Sequence, residues 1–221
     1  MPSATRNVAS VVHPPTPKKH DFRALEPEQV RKLIETAKGT RWEALIALAV
    51  ATSLREGELL GLKWVDITLD GSKLTVLRQL GLYKRLVEPK TDTNRRSMRL
   101  PAYAVKVLRE HQARQNEARI IKGPEYEDND LVFATHNWRP LIARNVFREY
   151  KTLLRRANLP DIRFHDLRHT AATLMLLQGV SVKVVQERLG HSQVSLTLGT
   201  YSHVLPSMDQ DAADKLDALL G

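Results

Sequence analysis

The sequence predicts an α+β fold that is mostly α-helical and has one small antiparallel β-sheet. Segments with apolar residues at helical spacing recur along most of the chain, as in PEQVRKLIETAK and in the nearly all-apolar stretch from Trp42 to Val50. The clear β signal is confined to VDITLDGSKLTVL, where Asp70 and Gly71 separate two alternating stretches. This pattern predicts a hairpin in which Gly71 supplies the positive φ. A chain of 221 residues can bury a sizeable core.

Downstream of the hairpin, LVEPKTDTNRRSMRL is predicted as two short strands around a turn at residues 92–94. A long helix is then expected from Pro101 to about Ile120, followed by a polar loop and a short strand, LVFA. A further helix is expected over residues 144–156. The apolar residues of that helix form one stripe and are predicted to be core: Val146, Phe147, Tyr150, Leu153 and Leu154.

The last part of the domain is predicted as three short helices. The first ends at Gly179, which serves as a left-handed C-cap. Ser181 is expected to cap the second helix, and Gly190 to end it, which leaves His191 exposed at the corner. Ser192 is expected to cap the third helix.

The chain is predicted to consist of one domain preceded by a tail. Residues 1–20 contain SVVHPPTPKK, which has no helical or strand period and is typical of a linker. The domain is expected over residues 21–221. It includes an amphipathic C-terminal helix at residues 205–220, which contains MDQDAADKLDALL.

The composition favours a polyanionic partner. The chain has 34 Lys and Arg against 25 Asp and Glu, a formal net charge of +9 at pH 7, and such an excess attracts nucleic acid. The absence of cysteine excludes disulfides and Cys-ligated metals and is compatible with a reducing compartment. No apolar run approaches the roughly 18 residues of a membrane span, and no signal-peptide segment is found. We therefore expect a cytoplasmic protein without a membrane partner.

Two arginines are predicted where a helix dipole disfavours them. Ser53 begins an S-x-x-E capping box, which predicts a helix with Arg55 in its first turn. Asp166 is the expected N-cap of the helix that carries Arg168 in its first turn. A cation there costs roughly 0.3 kcal/mol or more, but a helix N-terminus beside a cation suits a phosphate. One such arginine is equally explained by a salt bridge; two of them suggest a shared anion.

The chain also holds the groups that a side-chain attack on a phosphodiester needs. Fixed cations must neutralise the phosphate, a nucleophile must be in line with the leaving group, and an acid must protonate the departing oxygen. The candidates are Arg55 and Arg168 as cations, Tyr201 as nucleophile, His165 and His191 as hydrogen-bonding partners, and Lys90 as acid. A phenol has a pKa of about 10, so Tyr201 needs a base or a positive field.

Two further residues are expected beside these groups. Glu58 is expected to hold Arg55 in its rotamer, although a surface glutamate without a role fits the pattern equally well. His169 is expected to be a structural residue packed behind the site.

The chain resembles the catalytic domain of the tyrosine recombinases, or phage integrases, in five motifs: LREGELLGLKW, PKTDTNRRSMRLP, HDLRHTAATLMLLQG, ERLGHS and TYSHV. The resemblance extends from Leu25 to Val204 and implies that family's catalytic-domain fold, with a three-stranded antiparallel sheet. The family's catalytic positions fall on Arg55, Lys90, His165, Arg168, His191 and the nucleophile Tyr201.

The resemblance implies site-specific recombination of double-stranded DNA. Tyr201 would attack a DNA phosphate, giving a 3′-phosphotyrosyl link and a free 5′-hydroxyl, and a 5′-hydroxyl of the partner DNA would reverse the step. No metal or other cofactor is implied. Lys90 would protonate the leaving oxygen, and His165 would assist proton transfer at Tyr201. The non-bridging oxygens would be held by Arg55, Arg168 and His191.

Further contacts with DNA are expected from Arg95, Arg96 and Lys183. The two arginines follow the turn at residues 92–94, and on this stretch alone a solvated charged turn explains them better. Members of the family also assemble into a tetrameric synapse, in which the C-terminal helix docks on a neighbouring protomer. Packing of residues 205–220 within the same chain is the alternative.

The sequence departs from the family pattern in two ways. Ser53 stands where the family often has glycine, and we expect the serine to be tolerated because it fits the capping box. The family's N-terminal core-binding domain, which closes around DNA, is missing, and residues 1–20 resemble the remnant of that domain and its linker. We therefore expect a catalytic fragment with weaker and less specific DNA binding.

Three other functions compete with this interpretation. GVSVKVVQERLGHSQVSLTL fits a helix-turn-helix DNA-binding module, which would give Arg55, Lys90 and Tyr201 no role. His165 and His169, four residues apart, could begin a metal site, but the sequence offers no obvious third ligand. A type IB topoisomerase would use similar chemistry, and the motifs HDLRHT and LGHS favour a recombinase.

Overall fold

The computed structural model describes residues 22–81, 85–88, 95–202, 204, 213–214 and 216–220. Its helices are α1 (Pro27–Ala37), α2 (Glu43–Thr52), α3 (Glu56–Leu60), α4 (Ala102–Lys122), α5 (Ala143–Arg156), α6 (Asp166–Leu177), α7 (Val182–Leu189) and α8 (Val194–Tyr201). Its strands are β1 (Ile67–Thr68), β2 (Lys73–Val76), β3 (Gln79–Leu80), β4 (Leu86–Val87) and β5 (Arg96–Arg99). The predicted mostly helical α+β fold is confirmed.

Helix α2 lies at the centre of the main hydrophobic core. Leu45, Ile46 and Leu48 are each at most 1% exposed, and α2 packs against α1, α4 and α6. A helix that is apolar on every side must be covered on every side, which explains why three helices surround it. Truncation of Leu48 to alanine would therefore cost about 2–5 kcal/mol.

The predicted three-stranded antiparallel sheet has the order β1–β2–β5. Ile67 pairs with Leu74 across the hairpin, and Leu74 pairs with Met98 on the other side. All three side chains are buried, so a slip of one residue would turn an apolar face to water. At the turn the positive φ belongs to Ser72, at 48°, and not to Gly71 as expected.

One strand prediction is confirmed in part and another is wrong. The two short strands predicted in LVEPKTDTNRRSMRL are present as β4 and β5, but they do not pair with each other, because β4 pairs with β3 in a separate two-stranded sheet while β5 joins β2. The turn predicted at residues 92–94 lies outside the described residues. LVFA forms two isolated bridges instead of a strand. Its apolar residues are buried by packing in the main core, with Val132 and Phe133 at most 2% exposed.

The stripe predicted on α5 is buried with one exception. Phe147 is 45% exposed, and the Nζ atom of Lys151 lies 5.1 Å from the centre of its ring. A cation over an aromatic face stabilises such an exposed ring modestly. The neighbouring stripe residues form part of the main core: Val146, Tyr150, Leu153 and Leu154.

A second, smaller hydrophobic cluster joins α6, α7 and α8, and is formed by Ala172, Leu176, Val185, Leu189, Tyr201 and Val204. The turns that shape it follow the sequence prediction. Gly179 and Gly190 have φ of 75° and 65° after α6 and α7, and the hydroxyl of Ser181 accepts a hydrogen bond from the Val184 amide. The N-cap of α8 is Gln193, one residue later than the predicted Ser192.

The C-terminal region is described only in part. Residues 213–214 and 216–220 are helical, and residues 205–212 of the expected C-terminal helix lie outside the described residues, as do the expected linker residues 1–20. Within the described ranges, no helix combines the length and apolarity that crossing a membrane requires.

Candidate active site

Arg168 lies in the first turn of α6, as predicted, and it is buried, with 4% of its surface exposed. Its Nη1 and Nη2 atoms donate to the carbonyl oxygens of Ser53 and Leu189, each at 2.6 Å. Burial, followed by the charge of Arg55, lowers the pKa of Arg168 to about 9. The guanidinium is therefore still protonated at neutral pH, and α2 and α7 hold it in one orientation.

The start of α6 differs from the prediction in one respect. His165 is the N-cap, and Asp166 is the first helical residue. The Asp166 carboxylate accepts a hydrogen bond from the Arg163 amide at 2.9 Å and pairs with the Arg163 guanidinium at 2.8 Å. The side chain that was expected to cap the helix thus fixes the turn that leads into it.

Arg55 approaches the site from the start of α3, but the predicted capping box is wrong. Ser53 ends α2 in the left-handed conformation, with φ 57°, and Arg55 is the N-cap of α3. The Arg55 amide donates to Glu58 Oε2 at 2.8 Å, and its Nη1 atom donates to Glu58 Oε1 at 2.9 Å. The helix predicted to begin at Ser53 therefore begins two residues later, after Arg55.

Glu58 is a buried carboxylate shared by two arginines. Its side chain is 3% exposed and contacts Arg55 and also Arg96 of β5, whose side chain is 8% exposed. Burial raises the pKa of Glu58, but the hydrogen bonds and charges of Arg96 and Arg55 outweigh it and leave the pKa below its usual value. Glu58 therefore stays ionised, and the expected contact with Arg55 is present in the structure.

Arg96, which was predicted to contact DNA, is buried in this structure. Besides Glu58, its Nε atom donates to the Arg188 carbonyl at the end of α7, at 2.7 Å. A Cβ atom added at Gly190 would come within 2.9 Å of Arg96 Nη1, so Arg96 also fills the space beside that turn. In this structure its guanidinium ties β5 to α3 and α7 and does not face solvent.

The other expected DNA contacts remain on the surface. Arg95 is about half exposed and pairs with Glu88 at 2.6 Å. Lys183 is 65% exposed and lies 3.3 Å from Glu187 on the same face of α7. Lys90 lies outside the described residues.

His191 follows the turn that ends α7 and is half-buried, not fully exposed as predicted. Its Nδ1 atom lies 3.0 Å from the hydroxyl of Thr197, which is fully buried. Burial, and then the charges of nearby arginines with Arg168 first, lowers the pKa of His191 to about 4. The imidazole is thus neutral at physiological pH, and its Nδ1 atom is held by Thr197 of α8.

Tyr201 ends α8 and is only 1% exposed. Its hydroxyl lies 2.9 Å from His169 Nδ1. Burial raises the pKa of Tyr201 to about 12, while the charge of Arg168 opposes that rise. Burial, and then the neighbouring His165, lowers the pKa of His169 to about 4. The phenol and the imidazole are therefore both neutral at physiological pH and share this hydrogen bond.

His169, and not His165, is the histidine that contacts the tyrosine in this structure. The ring of His165 lies 5.2 Å from that of His169, edge to face, and burial lowers the pKa of His165. Residues four positions apart in an α-helix lie on the same face. The N-cap residue His165 and the helical residue His169 therefore lie beside each other, and the one further along the chain contacts Tyr201.

The two arginines meet at the turn after α7. Arg168 donates to the Leu189 carbonyl, and the Nη2 atom of Arg55 lies 3.4 Å from the carbonyl of the next residue, Gly190. His191 comes directly after these two carbonyls. Side chains from α3 and α6, together with the α7–α8 turn, thus form one cationic site with a neutral histidine at its edge.

Two structural partners of this site were not predicted. Phe22, in the segment before α1, stacks on His169, and no sequence signal marks it. Arg96 lies two and four residues before the buried Met98 and Leu100, on the same side of the extended chain, and this period of two could have indicated that Arg96 also points inward. Among the residues that the structure describes, no three His, Cys, Asp or Glu side chains are grouped as a metal would require.

Comparison with known proteins identifies the family. The chain matches the phage integrase family over residues 23–208. It is 36% identical to a tyrosine recombinase XerC-like protein of Caldanaerobacter subterraneus, over 95% of this chain and 58% of that protein. It is 28% identical to the ICEBs1 integrase of Bacillus subtilis, over 94% of this chain and 57% of that protein. The chain thus spans less than two thirds of the length of these relatives.

Solved structures of similar fold include recombinases and integrases. XerA recombinase aligns with a TM-score of 0.70 and 25% identity over 90% of this chain and 66% of that chain. The Tn1549 transposon integrase in complex with transposon right-end DNA aligns with a TM-score of 0.75 and 20% identity, over 96% of this chain and 71% of that chain. The catalytic domain of bacteriophage HP1 integrase aligns with a TM-score of 0.57 and 18% identity, over 88% of this chain and 95% of that chain.

Proposed function

Since this chain belongs to the phage integrase family, we propose that it catalyses site-specific DNA recombination with Tyr201 as the nucleophile. The Tyr201 oxygen forms a bond to the phosphorus of a DNA phosphodiester, and the bond from phosphorus to the 5′-oxygen breaks. The product is a 3′-phosphotyrosyl link and a 5′-hydroxyl. A 5′-hydroxyl of the second DNA then attacks the same phosphorus and releases the tyrosine, so the number of phosphoester bonds is unchanged.

The meeting of Arg55 and Arg168 at the α7–α8 turn is the observation that carries this proposal. Two guanidinium groups at one place suit one phosphate, because each presents donors in a planar fork. The carbonyls of Ser53 and Leu189 take two of the five N–H donors of Arg168. The fork is thus oriented by backbone, with further donors directed to a non-bridging oxygen. Prearranged donors of this kind stabilise charge that develops in a transition state.

The imidazoles support the proton transfers. Tyr201 must lose its proton as it attacks, and with a pKa of about 12 it does not do so alone at neutral pH. The Tyr201 hydroxyl already shares a hydrogen bond with His169, and the ring of His165 lies beside that of His169. Both imidazoles are neutral at physiological pH because burial lowers their pKa. We assign proton transfer at Tyr201 to this pair, and protonation of the leaving 5′-oxygen to Lys90 on the family resemblance alone.

We further propose that copies of the chain associate on DNA through their C-terminal helices. Leu216, Leu219 and Leu220 are 56%, 78% and 81% exposed. Three leucines this exposed on one short helical segment form an apolar patch of the kind that marks an interaction site. Docking on a neighbouring protomer in a tetrameric synapse would bury them. Sedimentation of the Leu219→Asp variant with and without DNA tests this, since loss of the assembly is expected only in the variant.

The experiment for the proposed reaction is strand transfer in EDTA. A labelled nicked duplex and a second duplex with a free 5′-hydroxyl are incubated with the full chain, and joined strands are separated under denaturing conditions. The duplexes include DNA that flanks the gene. We expect joined products with the wild type and with Tyr103→Phe, a control that removes an exposed phenol, but none with Tyr201→Phe.

Two outcomes would contradict the proposal. Products that persist in Tyr201→Phe would assign the nucleophile elsewhere. Rejoining to the original strand alone, with relaxation of supercoiled plasmid, would indicate topoisomerase-like activity without recombination.

A further inference from the structure

Phe22 connects the segment before α1 to the proposed nucleophile. Its ring stacks on His169 with the ring centres 4.1 Å apart and the planes 12° from parallel. The same ring meets Tyr201 edge to face, with the centres 5.6 Å apart. The Nδ1 atom of His169 in turn is hydrogen-bonded to the Tyr201 hydroxyl at 2.9 Å. One aromatic side chain thus contacts both partners of this hydrogen bond.

The segment that carries Phe22 is fixed on α6 by a second contact. The Leu25 amide donates to the Thr170 hydroxyl at 3.0 Å, and both residues are buried. Thr170 follows His169 in the chain, so this hydrogen bond sets the position along α6 at which the segment crosses the helix. The position of the Phe22 ring over His169 therefore follows from how the chain enters α1.

Tyr201 is closed off in this arrangement. It is 1% exposed, whereas reacting atoms must come within about 3–3.5 Å of each other in line. A phosphodiester of a DNA duplex cannot come that close to an oxygen inside a hydrophobic cluster. The cover over the tyrosine must therefore move before attack.

We propose that Phe22 is a positioning residue that latches Tyr201 in a closed state through His169. The proposal rests on the assignment of Tyr201 as nucleophile. The stacked phenylalanine holds the imidazole in the orientation that binds the phenol and also covers the phenol ring. A force or partner that displaces the segment before α1 would remove both contacts together and release the tyrosine towards DNA.

Nitration of tyrosines by tetranitromethane tests the latch without DNA. The full-length chain is treated for increasing times, and each tyrosine is followed by peptide mass spectrometry. Tyr103 is 44% exposed and reports the reagent, while Tyr150 is 1% exposed in the main core and reports global unfolding. We expect Tyr201 to be as protected as Tyr150 in the wild type.

Removal of the ring should expose Tyr201 selectively. In Phe22→Ala we expect nitration of Tyr201 to rise about tenfold, the scale on which one lost aromatic contact shifts a two-state equilibrium, with Tyr150 unchanged. Phe22→Tyr keeps the stack and should restore protection. A merely structural role for Phe22 would raise Tyr150 and Tyr201 together.

Three results would overturn the latch: Tyr201 reacting as fast as Tyr103 in the wild type, Tyr201 staying protected in Phe22→Ala, or Tyr150 rising in parallel. Because nitration does not depend on DNA, the latch and the proposed reaction fail separately. Suppose that Tyr201 becomes selectively exposed in Phe22→Ala but forms no covalent adduct with any DNA. That result would support the latch and contradict the assignment of Tyr201 as nucleophile.

Discussion

The Arg96 guanidinium donates two hydrogen bonds to the Glu58 carboxylate, from Nη1 to Oε1 at 3.1 Å and from Nη2 to Oε2 at 2.8 Å. This bidentate pair joins β5 to the first turn of α3 in a place that water barely reaches. The same carboxylate contacts Arg55. The orientation of one proposed phosphate-binding arginine therefore depends on a second arginine that faces away from solvent.

Neutralising Glu58 should weaken both the fold and the site. Glu58→Gln leaves Arg96 buried without a counter-charge, and breaking a buried ion pair costs about 3–5 kcal/mol. We expect the free energy of unfolding in urea to fall by about 2–4 kcal/mol and DNA cleavage to slow because Arg55 loses its support. Glu56→Gln, in the same turn, is the matched control and should change the free energy of unfolding by less than about 1 kcal/mol. Equal stability of Glu58→Gln and the wild type would contradict this network.

Ser53→Gly should stabilise the protein. Ser53 has φ 57°, where a side chain costs about 1–2 kcal/mol and glycine does not. Its buried hydroxyl also has no hydrogen-bond partner among the described residues. We expect the free energy of unfolding to rise by about 1 kcal/mol. Ser195→Gly, in helix α8, is the control and should lower the free energy of unfolding by about 0.5–1 kcal/mol. A loss of stability in both variants would contradict backbone strain at Ser53.

Acid should destabilise the fold through His169 and His191. Burial holds the pKa of each at about 4, whereas a histidine in the unfolded chain has a pKa of about 6.5. Between these values the unfolded chain binds more protons, so the free energy of unfolding falls as the pH is lowered from about 6.5 to about 4. A full shift is worth about 3 kcal/mol per histidine, and solvent screening of these half-buried rings reduces it to about 1–2 kcal/mol.

Urea unfolding at about pH 7.5 and about pH 4.5 measures this dependence. His169→Gln and His191→Gln should each show a smaller difference between the two pH values than the wild type. His136→Gln is the control, because His136 is exposed and outside the site. A wild-type free energy of unfolding that does not change between the two pH values would be inconsistent with neutral histidines in the site.

Arg168→Lys should slow DNA cleavage with little loss of DNA binding. An ammonium group cannot donate to Ser53 and Leu189 and also face a phosphate as a planar fork does. Loss of one prearranged donor costs about 10²–10³-fold in rate, and we expect that loss in single-turnover cleavage. Arg163→Lys, at a partly exposed arginine that precedes α6, is the matched control. A cleavage rate of Arg168→Lys within about twofold of the wild type would exclude this role.

The sequence predicts the helices and the hairpin well because their signals are local. The all-apolar stretch of α2 indicates a fully buried helix. The glycines after α6 and α7 indicate where those helices end, because glycine adopts a positive φ readily. Helix starts are predicted less well, since the S-x-x-E pattern at Ser53 places the start of α3 two residues too early. The chain enters α3 at Arg55 because Glu58 is held by Arg96, a residue far away in sequence.

The site is predicted in its residue types more than in its contacts. The family motifs select Arg55, Arg168 and His191, and the structure places all three at the α7–α8 turn. They cannot tell which histidine of α6 meets Tyr201, since that depends on how α8 packs. Nor can they reveal Phe22, whose position is set by tertiary packing of the segment before α1.

The most direct test of the proposed chemistry is to trap the covalent intermediate and locate it. The full chain is incubated in EDTA with labelled duplexes nicked next to the scissile phosphate, so that the cleaved fragment diffuses away, and SDS-resistant adducts are digested and mapped. We predict a phosphotyrosyl adduct on Tyr201 that disappears in Tyr201→Phe and remains in Tyr103→Phe. An adduct on another residue, or one that survives in Tyr201→Phe, would contradict Tyr201 as the nucleophile.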